Sequence, residues 1–155
     1  RENYIFDVLL KQNYIMIPGD GETKIQFIYV YDLACAILKV LCFCNESKVY
    51  NVGSKTLSFK NWVESCEAVV KTAVKKIFVP EQELISFGFK PKSIFPFHLY
   101  DNVLDTTSFD TSFNQKYSNY KESLENTYKW YLSNQTDIRR KSEYFTNSEI
   151  VYESL

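Results

Sequence analysis

Glycine and proline are scarce, four of each in 155 residues, and histidine occurs once. A dinucleotide-binding turn needs closely spaced glycines between a strand and a helix. The one close pair, in Gly19-Asp20-Gly21, falls between two predicted strands and does not qualify. The single histidine, His98, has no serine or cysteine motif to serve, which excludes a nucleophilic triad. It reads as a simple hydrogen-bonding group in an aromatic segment. The four cysteines, Cys35, Cys42, Cys44 and Cys66, lie in apolar helical stretches and match no zinc or redox spacing, so they read as buried structural thiols. The acids are scattered and form no metal cluster. There is no apolar run of the ~18 residues that suggests a membrane helix, no signal peptide and no basic amphipathic anchor. The chain therefore reads as soluble and cytoplasmic. An excess of positive charge is missing too: the formal net charge is −1. Lys71, Lys75 and Lys76 close a predicted helix and read as a solvated face, which argues against a nucleic-acid track.

Apolar residues make up 45% of the sequence, with 12 Tyr and 12 Phe, enough for one folded domain with a real core. Tyr4, Ile5, Val8 and Leu9 recur at helical spacing, with Phe6 and Leu10 widening the face. No cap precedes them, which predicts further sequence before Arg1. A strand over Tyr14–Ile17, the turn Pro18–Gly21 and a second strand over Ile25–Val30 follow. Asp32 is placed to cap a helix formed by Leu33, Ala36, Ile37, Val40 and Leu41. Val49–Val52, mostly β-branched and closed by Gly53, fits a strand covered on both faces. Ser58 caps a helix bearing Phe59, Trp62, Val63, Cys66, Val69, Val70 and Ala73 on one stripe. Lys76–Val79 is a further strand. Residues 86–106 are irregular. Asn119 and Glu122 form a capping pair for a helix with Tyr120, Leu124, Thr127, Tyr128 and Tyr131 on one face. The organisation is a domain over 1–132 and a polar tail over 133–155, mobile or used for docking.

In order, several segments resemble the NAD-dependent epimerase/dehydratase family, the extended short-chain dehydrogenase/reductases (SDRs). Arg1-Glu2 through Phe6-Asp7 and Leu9-Leu10 resembles the helix after that family's Tyr-Gly-Pro stretch. Ile15-Met16-Ile17-Pro18-Gly19-Asp20-Gly21 resembles its PIPIPGDG segment. Gln26-Phe27-Ile28-Tyr29-Val30-Tyr31-Asp32-Leu33-Ala34 is similar to (R)DFIHVDDLA, and Val49–Gly53 to VYNVGG. Tyr128–Leu132 resembles the closing helix. Phe95-Pro96-Phe97 with Leu104-Asp105-Thr106-Thr107 is similar to the atypical branch that includes the chloroplast stem-loop-binding proteins.

The resemblance implies an α/β chain, α+β when taken as an isolated piece. It would be the C-terminal substrate-binding portion of a Rossmann-type extended SDR fold, without the glycine-rich N-terminal half. That half would carry the NAD or NADP site and the catalytic Tyr-x-x-x-Lys, and would be supplied upstream or by a partner chain. The ligand implied is a nucleotide sugar. The backbone near Ile15 and Ile17 would face its base. Ile25 stands where the family's diphosphate-binding arginine stands, and Gln26 where the next acid does. Lys92 or His98 could provide the second basic contact. The expected substrate-binding set is thus Ile15, Ile17, Gln26, Lys92 and His98, with no catalytic residue, cofactor-binding residue or metal ligand in this chain. The competing expectation is a free-standing protein-interaction or RNA-binding module of the same fold, for which apolar strands without neighbours would favour docking or homo-oligomerisation.

Overall fold

The structure, a computed structural model, describes residues 3–44, 47–135 and 143–155. The run of apolar residues after Asn3 forms helix α1, Tyr4–Lys11, and it is sunk into the core: Tyr4 to Leu9 are all buried. Strand β1, Tyr14–Pro18, is buried at all five positions, as a strand covered on both faces must be. It pairs in parallel with β4, Lys75–Val79, from Tyr14 opposite Lys75 to Pro18 opposite Val79. A second, antiparallel pair joins β2, Lys24–Gln26, to β3, Thr56–Ser58. Helix α2 spans Val30–Phe43, and α3, Phe59–Val70, follows β3 directly. After β4 come α4, Glu81–Ser86, a 3₁₀ turn over Pro91–Ser93, and α5, Thr107–Phe113. Helices α6, Tyr120–Ser133, and α7, Glu143–Ser154, complete the chain.

Two local signals act as read. The Ser58 hydroxyl accepts from the Asn61 amide at 3.3 Å and starts α3, and the Asn119 carboxamide accepts from the Lys121 and Glu122 amides to start α6. Such caps are typically worth about 1 kcal/mol each. The largest core cluster is aromatic. Phe59 meets Phe95 edge-on at 4.8 Å, Phe97 meets Trp62 at 4.9 Å, and Phe27 lies 5.3 Å from Trp62. Edge-on pairs add about 0.5–1.5 kcal/mol to ordinary burial. Asp7, on α1, is buried and accepts from the fully buried Tyr131 hydroxyl at 3.0 Å, tying α6 to α1 across 124 residues.

Several expectations are corrected. The second strand stops at Gln26, because α2 already begins at Val30. Asp32 does not cap α2: Tyr29 holds that position, and Asp32 sits inside the first turn, buried, where it accepts from the Ser118 amide and hydroxyl. Of the residues at helical spacing on α2, Ala36 is buried, while Leu33, Ile37 and Leu41 are exposed. Val49–Val52 forms no strand, and Val49 is 92% exposed, for want of a neighbouring strand. Helix α3 ends at Val70, with Lys71 in the left-handed region, so Ala73 lies outside it. Cys66 is buried as expected, but Cys42 is exposed. Residues 86–106 include the short turn at Pro91–Ser93, and α4 and α5 flank them as helices not foreseen. Of the segment expected as a tail over 133–155, residues 136–142 lie outside those described, and residues 143–154 form α7, which packs on the fold. Its Val151 is fully buried beside Tyr14, Met16, Val79, Leu84 and Ile94, and Tyr152 stacks on Tyr14 at 4.3 Å.

Candidate functional site

Two concavities stand out among the described residues. The first is a slot of about 140 Å³ between α1, α3 and α6. Ile5, Phe6, Phe27, Trp62 and Leu124 give it apolar walls, and Ser54, Lys55, Tyr120, Ser123 and Thr127 supply polar groups. The Tyr120 hydroxyl is sealed from solvent without a hydrogen bond of acceptable geometry. Burial raises its pKa, the Cys66 thiol adds to the rise, and the Ser65 hydroxyl offsets part of it. The second is a wider, shallow hollow of about 590 Å³. Pro18, Gly19 and Asp20 form one wall, and Phe78, Pro80 and Glu81 another, with Thr23 and Leu99 at its edge. It lies where the parallel strands β1 and β4 both end, the usual place for a ligand in an α/β sheet, and its volume is in the range of small-molecule sites. The Gly19 amide donates to the Val79 carbonyl at 2.8 Å, closing the two strand ends together.

The five residues expected to hold a ligand do not form one cluster. Ile15 and Ile17 are core residues of β1, 1% and 0% exposed, and reach the hollow only through the backbone that continues into Pro18. Gln26 is a stitch. Its carboxamide donates to the Ser54 carbonyl at 3.0 Å and accepts from the Leu104 amide at 2.9 Å. Lys92 is exposed on the 3₁₀ turn. His98 is half-buried with its ring 4.6 Å from that of Tyr100, one residue before the hollow's Leu99. Ile25 has no cationic replacement within β2 other than Lys24, which is exposed and whose amide is taken by the Asp101 carboxylate.

One pattern escaped the sequence reading. The spacing Tyr-x-x-x-Lys does occur, at Tyr117 and Lys121. The structure gives it no acid–base geometry. Tyr117 precedes α6 and donates to the Asp110 carboxylate at 2.7 Å. Its pKa is pushed up to about 12, first by burial and then by that bond to Asp110, the opposite of what a catalytic tyrosinate needs. The Lys121 side chain is 75% exposed, 3.9 Å from Glu125. The Gly19–Gly21 turn connects β1 to β2 and leads into no helix, so this turn is not a dinucleotide-binding turn. Among the described residues no His, Cys, Asp and Glu group could hold a metal ion, and no helix is long and apolar enough to cross a membrane.

No family model and no curated protein matches the sequence. Solved structures do match its fold. A GDP-L-fucose synthetase from Naegleria fowleri is 14% identical with a TM-score of 0.68, over 88% of this chain and 39% of its own. A UDP-N-acetylglucosamine 4-epimerase from Methanobrevibacter ruminantium, solved with UDP-N-acetylmuramic acid, is 23% identical with a TM-score of 0.63, over 84% and 38%. A dTDP-glucose 4,6-dehydratase from Bacillus anthracis, solved with NAD, is 18% identical with a TM-score of 0.64, over 86% and 39%. The likeness defines the fold: a mixed α/β chain with a parallel strand pair, built like part of a Rossmann-type epimerase or dehydratase. This chain spans about two-fifths of the length of those it matches.

Proposed function

We propose that this chain is the C-terminal, substrate-holding portion of an NAD(P)-dependent nucleotide-sugar epimerase- or dehydratase-like protein, and that chemistry requires residues outside it. The observation that carries the reading is the overlap itself. Some 84–88% of this chain follows 38–39% of enzymes whose names specify nucleotide sugars. The hollow at the ends of β1 and β4 agrees with a ligand-holding role. The cofactor, NAD or NADP, is assigned to the portion not in this chain. The branch resemblance at Phe95-Pro96-Phe97 rests on packing residues, since Phe95 and Phe97 are buried in the aromatic core.

Isothermal calorimetry with UDP-, GDP- and dTDP-sugars tests the reading. Saturable heat is expected for at least one of them. Replacing Lys92 or His98 by Ala is expected to weaken it about tenfold or more where that side chain meets the diphosphate, the loss of one charge-assisted hydrogen bond. No heat with any of the three, from folded protein, overturns it. The RNA-binding alternative has only the branch resemblance behind it, against a net charge of −1. The protein-interaction alternative has a specific observation in its favour, the outward face of α2.

A further inference from the structure

Helix α7 lies beyond Tyr128–Leu132, the last segment that resembles the epimerase/dehydratase family, yet it is built into the elements that wall the hollow. Val151, fully buried, shares one apolar cluster with Tyr14 and Met16 of β1, Val79 of β4, Leu84 of α4 and Ile94 after the 3₁₀ turn. The same two strands and helix wall the hollow, β1 through Pro18, β4 through Phe78, and α4 through Glu81 and Gln82. β1 shows how the cover is divided. Ile15 and Ile17 belong to the main core, and Tyr14 and Met16 to the cluster under α7, as the alternation of a strand requires. Helix α7 thus helps supply the second cover that a fully buried strand needs.

The polar reach of α7 goes to the segment that carries the expected basic groups. The Asn147 carboxamide donates to the Ser93 carbonyl at 2.8 Å, one residue after Lys92. The next carbonyl, of Ile94, accepts from the Tyr4 hydroxyl at 3.2 Å, and the Tyr4 ring meets Tyr144 of α7 edge-on at 5.5 Å. The carbonyls of the two residues after Lys92 are therefore held by α7, one directly and one through Tyr4. The bonds internal to this turn are local: the Ser93 amide donates to Lys90 at 2.8 Å, and the Ile94 and Phe95 amides to Pro91 at 3.1 and 3.0 Å. A single 3₁₀ turn is weak alone, so its order depends on its anchors. From it the chain runs through buried Phe95 and Phe97 to His98 and then to Leu99 at the edge of the hollow.

We propose that α7 is a clamp on the ligand-holding segment: Val151 fixes β1, β4 and α4, Asn147 fixes the turn that presents Lys92, and ligand affinity is coupled to the docking of α7. The proposal rests on the reading above that this part of the chain holds a nucleotide sugar. It adds a positioning role for two residues that act through the turn and the strands rather than on the ligand. Coupling of this kind is reciprocal: a ligand held by the clamped segment tightens α7 by the factor by which α7 tightens the ligand. The interface suits reversible docking. Among the described side chains of α7, Ser148 and Val151 alone are buried, whereas α1 is buried at six successive positions. Helix α7 can therefore leave the fold at a smaller cost than α1.

Hydrogen exchange read by peptide mass spectrometry tests the clamp in the full chain. Asn147→Asp keeps the size of the side chain and removes its donor. Thr146→Asp, at the exposed neighbouring position, adds the same charge and serves as the control. Asn147→Asp is expected to speed exchange over residues 91–99 by about three- to tenfold, the effect of one lost hydrogen bond on local opening. Exchange in α3 should match the parent, as should exchange over 91–99 in Thr146→Asp. Whichever UDP-, GDP- or dTDP-sugar gives heat with the parent should bind Asn147→Asp more weakly by a similar factor, and should slow exchange in α7 of the parent. Unchanged exchange over 91–99 overturns the clamp. So does a rise spread evenly along the chain, which marks a general loss of stability, and so does faster exchange over 91–99 with unaltered affinity. A parent that gives no heat with any of the three sugars removes the nucleotide-sugar reading. In that case faster exchange confined to 91–99 upholds the grip of α7 on the turn, and its absence overturns it.

Discussion

Replacing Gly53 by alanine is expected to destabilise the native chain and to stabilise the chain once Gln26 is removed. A methyl group at position 53 would stand 2.6 Å from Cδ of Gln26, 2.7 Å from Oε1 and 3.0 Å from Nε2. The carboxamide must swing away, and with it go the bonds to the Ser54 carbonyl and the Leu104 amide. Two hydrogen bonds at about 0.5–1.5 kcal/mol each sum to about 1–3 kcal/mol. Gly53 is not among the glycines with positive φ, so alanine adopts its backbone without strain. Alanine also gains about 0.4–1 kcal/mol by restricting the unfolded chain. The net cost is about 0–2.6 kcal/mol, centred near 1.3. In a Gln26→Ala background the bonds are already gone and the space is open, leaving only the favourable 0.4–1 kcal/mol, roughly. The sign therefore reverses between the two backgrounds. Urea denaturation reads it directly. With a slope of about 1–3 kcal/mol/M, the midpoint should fall by a few tenths of a molar or more in the first case and rise slightly in the second. A Gly53→Ala cost of the same sign and size in both backgrounds would refute the stitch.

Two further outcomes follow from packing and burial. Val151→Ala should cost about 2 kcal/mol, two methyl groups' transfer plus a partial cavity, because Val151 is fully buried where α7 meets β1 and β4; a urea midpoint unchanged from the parent would mean that α7 is not docked in solution. Stability should also fall on the alkaline side. The hydroxyls of Tyr4, Tyr14, Tyr117 and Tyr120 are all raised above the ordinary tyrosine value of about 10, burial being the first cause in each. The folded state holds these protons where the unfolded state releases them. The contribution is therefore complete below about pH 10 and is lost as pH rises through the folded values, near 12 for Tyr117. Unfolding free energy followed with tyrosinate absorbance should decline from about pH 10 upward; a flat profile through pH 12 would contradict the buried placement of these hydroxyls.

The sequence by itself determined the elements whose signals are local. Ser58 and Asn119 start α3 and α6 because their side chains reach amides two or three residues away, within the same turn of chain. β1 and β4 were legible as apolar runs too short for helices. The order of motifs was enough to place the chain in the fold that the solved structures share. What depends on distant partners was not legible. Periodicity shows that α2 has an apolar face, but only packing decides that its charged groups turn inward and that this face is left open. Val49–Val52 has the composition of a strand, and a strand needs a neighbour to exist. α5, rich in Thr and Ser with weak helix propensity, forms where Phe109 is fully buried against Tyr50 and Phe113. The candidate site divides the same way. Ile15, Ile17, Gln26, Lys92 and His98 were chosen by place in a motif, whereas tertiary contacts gave Gln26 a stitching role, sank both isoleucines into the core and opened the hollow beyond them. Hydrogen bonds of short span can be read from neighbours in the chain; contacts across some 80 to 120 residues, such as Gln26 with Leu104 and Asp7 with Tyr131, are decided only when the chain has folded.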